Sequence, residues 1–208
     1  MLGYGFASVE GYSTQRFVLV YKMCVDNANA AQVTLGLYLG GAVPLVRSIL
    51  VAITQVVAGI VASAVVLAIF PGRLDVATSL SRGTSVWQGF LIEAFLTFQL
   101  LISIFMLAGE KHSATFMAPI GIGLSLFIAE LSGVGFTGGS LNPARSFGPA
   151  LVLGRFGHEH WIYWAGPAVG AVLAAGLYKF LKILDYERAN PGQDASNISG
   201  NDGRIRLA

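Results

Sequence analysis

Residues 138–149 read GGSLNPARSFGP and lie between two long apolar runs. The two glycines loosen the backbone, and Asn142 can cap a helix whose first position suits Pro143, which has no backbone N–H. Arg145 then adds a permanent cation one turn into that helix. A helix that begins inside a membrane directs unpaired N–H groups and a positive dipole end at its surroundings, and irregular backbone there must be buried in protein or line a water-filled cavity. The stretch therefore predicts a pore or a transport site.

The composition places this stretch in a membrane protein. Of 208 residues, 54% are hydrophobic and 12% are charged, whereas soluble domains carry about 25% charged residues. The net charge of +2 is too small to suggest a nucleic-acid partner. The single cysteine, Cys24, excludes an internal disulfide and a cysteine-based zinc site. We therefore expect a multi-pass protein of the lipid bilayer, in the plasma membrane or an internal membrane.

Four apolar segments are long enough to cross a bilayer as helices of about 20 residues. They cover residues 48–70, 86–108, 114–131 and 161–179. A shorter apolar segment over residues 33–43 ends at Pro44, and its length predicts a re-entrant half-helix rather than a span.

From Ser140 to Ala150 the chain resembles the major intrinsic protein family, the aquaporins and glycerol facilitators, and in particular its fungal members. Glu93 and residues 161–167 extend the resemblance, which covers roughly residues 33–184. The resemblance implies an all-α membrane protein with an aquaporin-like helical bundle. Such a bundle consists of two inverted repeats, each with three helices and one re-entrant half-helix, whose two Asn-Pro-Ala turns meet at the membrane midplane.

The resemblance also implies roles for the residues of the motif. Asn142, Pro143 and Ala144 would form the second turn, and the Asn142 amide would donate to passing water. Arg145 would be the cation of the narrow selectivity filter, which with the half-helix dipoles repels protons and cations. Glu93 would hold the loop backbone beside the half-helix; the alternative for this buried acid is a proton relay.

Two groups of positions indicate which solutes would pass through such a channel. Ser146, Ala150, Tyr163 and Trp164 agree with water channels rather than with glycerol facilitators, as the resemblance implies. These positions therefore favour water.

Two other filter positions depart from the water-channel pattern. Counting back from Asn142, the position that is usually His is Glu130, and the position that is often Cys or Thr is Gly139. Glu130 could pair with Arg145 and alter the constriction, or it could extend to solvent at a membrane interface.

The first half of the chain departs further. The family has two spanning helices before the first half-helix, and we expect about two N-terminal transmembrane helices to be missing. The first Asn-Pro-Ala is degraded: its slot reads Ala30-Ala31-Gln32, or Asn29-Ala30-Ala31 after a shift of one residue. We divide the chain into an atypical segment (1–28), a partial channel domain (29–184) and a disordered polar tail (185–208).

These observations predict a passive channel for water, with small neutral solutes as a further candidate cargo, in a homo- or hetero-tetramer. The alternative is a non-conducting, truncated relative or a subunit of a hetero-oligomer. A third alternative, a proton-coupled transporter, would use Glu93 and Glu130. No metal is expected, because the two histidines of residues 158–160 are only two positions apart, whereas a helical zinc pair has them at i and i+4. No enzymatic activity is expected, because the sequence shows no Ser-His-Asp arrangement, phosphate loop or carboxylate pair, and no cofactor is expected.

Overall fold

The computed structural model describes residues 31–69, 77–110 and 115–186, and within these ranges the regular structure is entirely helical. The α-helices are α1 (Ala31–Gly40), α2 (Leu45–Ile69), α3 (Val86–Ile104), α4 (Ala118–Thr137), α5 (Pro143–Leu153) and α6 (Ile162–Ile183). A π-helical turn, Phe105–Gly109, continues α3, and a 3₁₀ turn, Thr115–Met117, precedes α4. The predicted segment 1–28, the motif residues Asn29 and Ala30, and residues 187–208 of the predicted tail lie outside the described residues.

Four of these helical segments are long and apolar enough to cross a membrane. They are Leu45–Ile69, Val86–Gly109, Thr115–Thr137 and Ile162–Ile183, with 25, 24, 23 and 22 residues. By contrast, α1 and α5 have 10 and 11 residues, or about 15 Å, which is half the thickness of the hydrocarbon core. The predicted all-α bundle with two half-helices is confirmed.

The boundary predicted for α4 is wrong. The sequence predicted a span that ends at about Leu131, but the helix continues to Thr137. Within this continuation Gly133 lets α3 and the following loop approach closely: a Cβ there would lie 2.6 Å from Leu96 Cδ1 and 3.3 Å from Gly139 Cα. Glu130 therefore lies almost two turns before the end of the helix.

The half-helix α5 packs directly on α2. A Cβ on Gly148 would lie 2.5 Å from the Gly59 carbonyl oxygen, and a Cβ on Gly59 would lie 2.8 Å from the Ala144 carbonyl oxygen. Backbone-to-backbone contact of this kind is available only where small residues face each other. Ser63, which is fully buried beside Gly148, donates a hydrogen bond from its hydroxyl to the Gly59 carbonyl at 2.7 Å. This close backbone contact fixes the position of α5 against α2.

Glu110 joins the end of α3 to α6. Its carboxylate accepts hydrogen bonds from the Tyr178 hydroxyl and from Lys182 Nζ, the latter at 2.8 Å. Phe105 of the π-helical turn stacks on the Tyr178 ring with centroids 4.7 Å apart. Burial acts to raise the pKa of Glu110, but the bonds from Lys182 and Tyr178 outweigh it and hold the pKa below its ordinary value. The ionised carboxylate therefore ties the two helix ends together.

Acidification is expected to loosen this contact. Because the pKa of Glu110 is lower in the folded chain, its stabilising contribution is complete above the unfolded pKa and is lost as the pH falls through the folded pKa. The protection factors of the amides of residues 105–110 against hydrogen exchange should fall over that acidic range in the parent chain. Glu110→Gln should exchange rapidly already at neutral pH. Equal protection of the parent and the variant at neutral pH would contradict the role assigned to the carboxylate.

Candidate functional site

The site is built around a left-handed turn between α4 and α5. Gly138 and Gly139 have φ values of 81° and 58°, and Leu141 has a φ of 48°. A positive φ is inexpensive for glycine and strained for leucine. The Leu141 side chain, 2% exposed, packs with Leu96 and Leu100 of α3, and this burial offsets the backbone strain. The turn reverses the chain so that α5 begins inside the bundle.

Glu93 of α3 holds this turn in place. Its side chain is fully buried, and its Oε1 accepts the Thr137 hydroxyl at 2.6 Å and the Ser140 N–H at 2.9 Å. Its Oε2 accepts the Leu141 N–H at 2.8 Å. Backbone groups that a tight turn cannot pair internally are therefore paired by one carboxylate. The geometry agrees with the loop-holding role that the sequence suggested for this acid.

The start of α5 meets the start of α1 at Asn142. Asn142 is the N-cap, with extended backbone, and its Oδ1 accepts the Ala144 N–H at 3.0 Å. The same oxygen accepts the Ala31 N–H, from the first residue of α1, at 3.4 Å. One amide oxygen thus pairs donors from the N-termini of both half-helices. The positive dipole ends of α1 and α5 therefore converge on one point.

Arg145 and Glu130 both reach the glycine pair of the turn. Arg145 is 1% exposed, and its Nη2 donates to the Gly138 carbonyl at 3.0 Å. The Glu130 carboxylate lies beside Gly139, where a Cβ would be 2.9 Å from Glu130 Oε2. A larger residue at position 139 would therefore displace the acid. Glu130 and Arg145 approach adjacent residues of one turn, and the acid points into the site rather than towards the end of its helix.

Ser146 takes part in a hydrogen-bond network beside the turn. Its hydroxyl is fully buried and bonds the Ser140 hydroxyl and, at 2.8 Å, the Thr78 hydroxyl. Ser140 also donates to the Asn142 carbonyl at 3.0 Å. Ser146 therefore anchors the loop before α3 to the first turn of α5. Ser146 therefore makes a structural contact, and its position is also one of those that favoured water in the sequence.

The remaining predicted positions lie at different distances from the turn. Tyr163 is 1% exposed and donates its hydroxyl to the Thr137 carbonyl at 2.9 Å, so it braces the end of α4. Ala150 is buried two turns along α5. Trp164 is 40% exposed and meets the edge of Phe147 with centroids 5.7 Å apart. The structure thus brings Tyr163 to the site and leaves Trp164 on the outer surface.

Two residues of the site were not singled out by the sequence. Thr137 links Glu93 to the turn, since its Oγ1 also accepts the Gly139 N–H at 3.2 Å. Thr78 lies in a loop far from the motif in sequence and reaches Ser146. A hydroxyl directly before a Gly-Gly pair is a signal that could have identified Thr137. Nothing local marks Thr78.

Comparison with known proteins places this geometry in a family. Residues 27–178 match the family described as Major intrinsic protein. The chain is 60% identical over 166 residues to Aquaporin-7 of Botryotinia fuckeliana (strain B05.10), covering 80% of this chain and 37% of that protein. It is 52% identical over 180 residues to Aquaporin-1 of Gibberella zeae, covering 86% of this chain and 56% of that protein. The chain thus spans between about a third and somewhat more than half of the length of these relatives.

Among solved structures, the fold is similar to that described as the X-ray structure of the aquaglyceroporin from Plasmodium falciparum. The TM-score is 0.63 at 22% sequence identity, covering 75% of this chain and 74% of the other. The family match extends over more than half of this chain, and the matched residues contain both half-helices and the turn that joins α4 to α5. The chain belongs to the major intrinsic protein family and, with four apolar helices of spanning length, is an integral membrane protein.

Proposed function

We propose that this chain forms the core of a passive membrane channel for water, with small neutral solutes as possible further cargo. The observation that carries the proposal is the meeting of the two half-helix N-termini at Asn142 Oδ1. The N-terminal end of a helix carries a partial positive charge, and two such ends at one point disfavour a cation there. Neutral molecules that exchange hydrogen bonds are not excluded by this field.

Arg145 adds a full positive charge close to the junction. Arg145 lies in the first turn of α5 and is buried, and its guanidinium donates a hydrogen bond to the Gly138 carbonyl. A fixed buried cation strengthens the barrier to protons and metal cations without impeding water. Ser146, Ala150, Tyr163 and Trp164 support water as the main cargo, by resemblance. Gly139 accommodates the Glu130 carboxylate, and these two departures from the water-channel pattern support a wider solute range than water alone.

The proposal is tested by stopped-flow light scattering of proteoliposomes that contain the chain. We expect osmotic water permeability clearly above that of empty vesicles of the same lipid. Gly176→Ala, at an exposed helix position with open space around it, is the matched control and should conduct like the parent. Permeability equal to empty vesicles, for protein shown to be folded and inserted, would support the alternative of a non-conducting relative or a hetero-oligomer subunit.

Asn142→Asp should convert the junction into a leak for protons. Aspartate caps a helix as well as asparagine does, so α5 should still form. The variant nevertheless loses the side-chain amide donors and adds an acceptor charge where the two helix dipoles meet. Proton influx under an imposed pH gradient, read with an entrapped pH-sensitive dye, should rise above that of the parent. An unchanged leak in vesicles with normal protein content would argue against a barrier centred on Asn142.

We further propose that the chain works in a homo- or hetero-tetramer in the plasma membrane or an internal membrane. The support is family membership, together with large apolar side chains exposed on the surface of α2 and α4, such as Val46 and Leu131 at 71% and 70%. In a bilayer such faces contact lipid or other chains. Mass photometry in lipid nanodiscs, alone and after co-expression with a full-length relative, separates the two assemblies.

A further inference from the structure

Two helices of the bundle, α1 and α3, lie side by side in a parallel register. A Cβ on Gly36 would lie 2.7 Å from Leu101 Cδ2, and a Cβ on Gly40 would lie 2.7 Å from Phe105 Cε1. Each step of four residues along α1 therefore matches a step of four along α3. One turn earlier the same register places Gln32 opposite Thr97.

Gln32 and Thr97 are both buried polar residues, one turn before the contact of Gly36 with Leu101 and two turns before that of Gly40 with Phe105. Gln32 is 2% exposed and Thr97 is fully buried. Three of their polar atoms have no hydrogen-bond partner within residues 31–69, 77–110 and 115–186: Gln32 Nε2, Gln32 Oε1 and Thr97 Oγ1. A buried amide or hydroxyl without a partner is costly and rare in folded proteins.

Comparable side chains elsewhere in the described residues do find partners. Gln55 bonds Thr34, and Gln99 donates to the Ser125 carbonyl and hydroxyl. Helical hydroxyls typically return to the carbonyl four residues earlier, as those of Ser63 and Ser103 do. Thr97 does not make this return bond. Its hydroxyl is therefore available to a group other than its own helix.

The surroundings enclose this position. On the α6 side, Gly170 brings the backbone against Thr97: a Cβ there would lie 2.9 Å from Thr97 Cβ. Leu101 and Phe105 fill the next two turns between α1 and α3. Thr97 has a shorter side chain than either. At this level the register brings together a side-chain amide and a hydroxyl that do not bond each other directly.

We propose that one water molecule binds between Gln32 and Thr97 and bridges them. The glutamine amide offers two donors and an acceptor oxygen, and the threonine hydroxyl both donates and accepts, so a water with two to four partners is matched. The bridge links the first turn of α1 to α3. In this arrangement α3 positions both half-helices, the second directly through Glu93 and the first through Thr97 and its water. Gln32 directly follows Ala31, whose N–H bonds Asn142, but the bridge can be tested without any measurement of conduction.

A double-mutant cycle tests the bridge in the 208-residue chain in lipid nanodiscs. Gln32→Leu and Thr97→Val should each raise the unfolding equilibrium constant on the order of tenfold, because each removes the water and leaves the other polar group unpaired. The double variant should be no less stable than the worse single variant. Thr34→Val with Gln55→Leu is the control for a directly bonded pair, and Gln32→Leu with the exposed Thr54→Val is the control for additivity.

Additive effects of Gln32→Leu and Thr97→Val would overturn the proposal, and so would a gain in stability from either variant. Each of these outcomes is expected if no water lies between the two side chains. A high-resolution cryo-electron microscopy map of the parent provides a second measurement that does not require the variants to fold. It should show a density peak within hydrogen-bonding distance of both side chains. A Gln32 amide bonded directly to another protein group, with no such peak, would equally overturn it.

Discussion

Glu93→Leu is expected to destabilise the chain by about 4 kcal/mol, more than any other single change considered for this protein. The substitution removes the acceptor of three buried hydrogen bonds, from Thr137, Ser140 and Leu141. Hydrogen bonds to a charged group contribute about 1.5–3 kcal/mol each, and the donors that remain cannot reach water. The left-handed turn would lose its support, and α5 would lose its fixed starting point. Unfolding equilibria in detergent or nanodiscs measure the loss.

Two further substitutions make this prediction specific. Glu93→Gln keeps one acceptor oxygen, which can still serve Thr137 and Ser140, but it places an NH₂ group against the Leu141 N–H. We therefore expect about half the loss of Glu93→Leu. Phe95→Leu lies two residues along the same helix at a position 67% exposed and should be nearly neutral. If Glu93→Leu were as mild as Phe95→Leu, the turn would not depend on the carboxylate.

Gly170→Ala is expected to destabilise the chain by about 3 kcal/mol, at the upper end of the cost of overpacking. A Cβ on Gly170 would lie 2.3 Å from the Ala94 carbonyl oxygen and 3.0 Å from the Phe98 nitrogen. Both are backbone atoms of α3, so no side chain can rotate away. The α3 and α6 helices would have to separate, which would also disturb Glu93 one turn away.

Gly176→Ala on the same helix is the matched control for Gly170→Ala. A Cβ there meets nothing within 4 Å, so the change should be neutral or stabilise the helix by up to about 1 kcal/mol, because alanine is the better helix former. Thermal unfolding of the two variants in the same nanodiscs compares them directly. Equal effects of the two substitutions would contradict close backbone packing between α3 and α6.

The sequence was sufficient to predict the parts of the fold that depend on local patterns. The apolar runs predicted the spans, the short run over 33–43 predicted α1, and the Asn-Pro-Ala turn predicted that α5 begins inside the bundle. Glu93 was identified because an acid in a spanning helix is expensive and needs partners. These features follow from hydrophobicity, capping and burial cost, which act within a few residues.

The features that the sequence missed depend on tertiary contacts. The helix α4 continues to Thr137, and Gly133 within this continuation packs closely on Leu96 of α3, a contact that no local pattern contains. The position of Glu130 beside Gly139 then depends on that longer helix. The water site proposed for Gln32 and Thr97 rests on the register between α1 and α3, which no local pattern contains. Sequence reasoning therefore identified the family more readily than it placed individual side chains.

Short-range cysteine cross-linking tests most directly whether the two half-helices meet at Asn142. In a Cys24→Ser background, Ala31→Cys and Pro143→Cys place thiols at the first residues of α1 and α5. Thr34→Cys with Gln55→Cys is the positive control, because those two side chains are buried and hydrogen-bonded to each other. A short bifunctional thiol reagent should join both pairs in lipid vesicles, as read by mass spectrometry of the linked peptides. Failure of the 31/143 pair under conditions that join the control pair would contradict the convergence of α1 and α5.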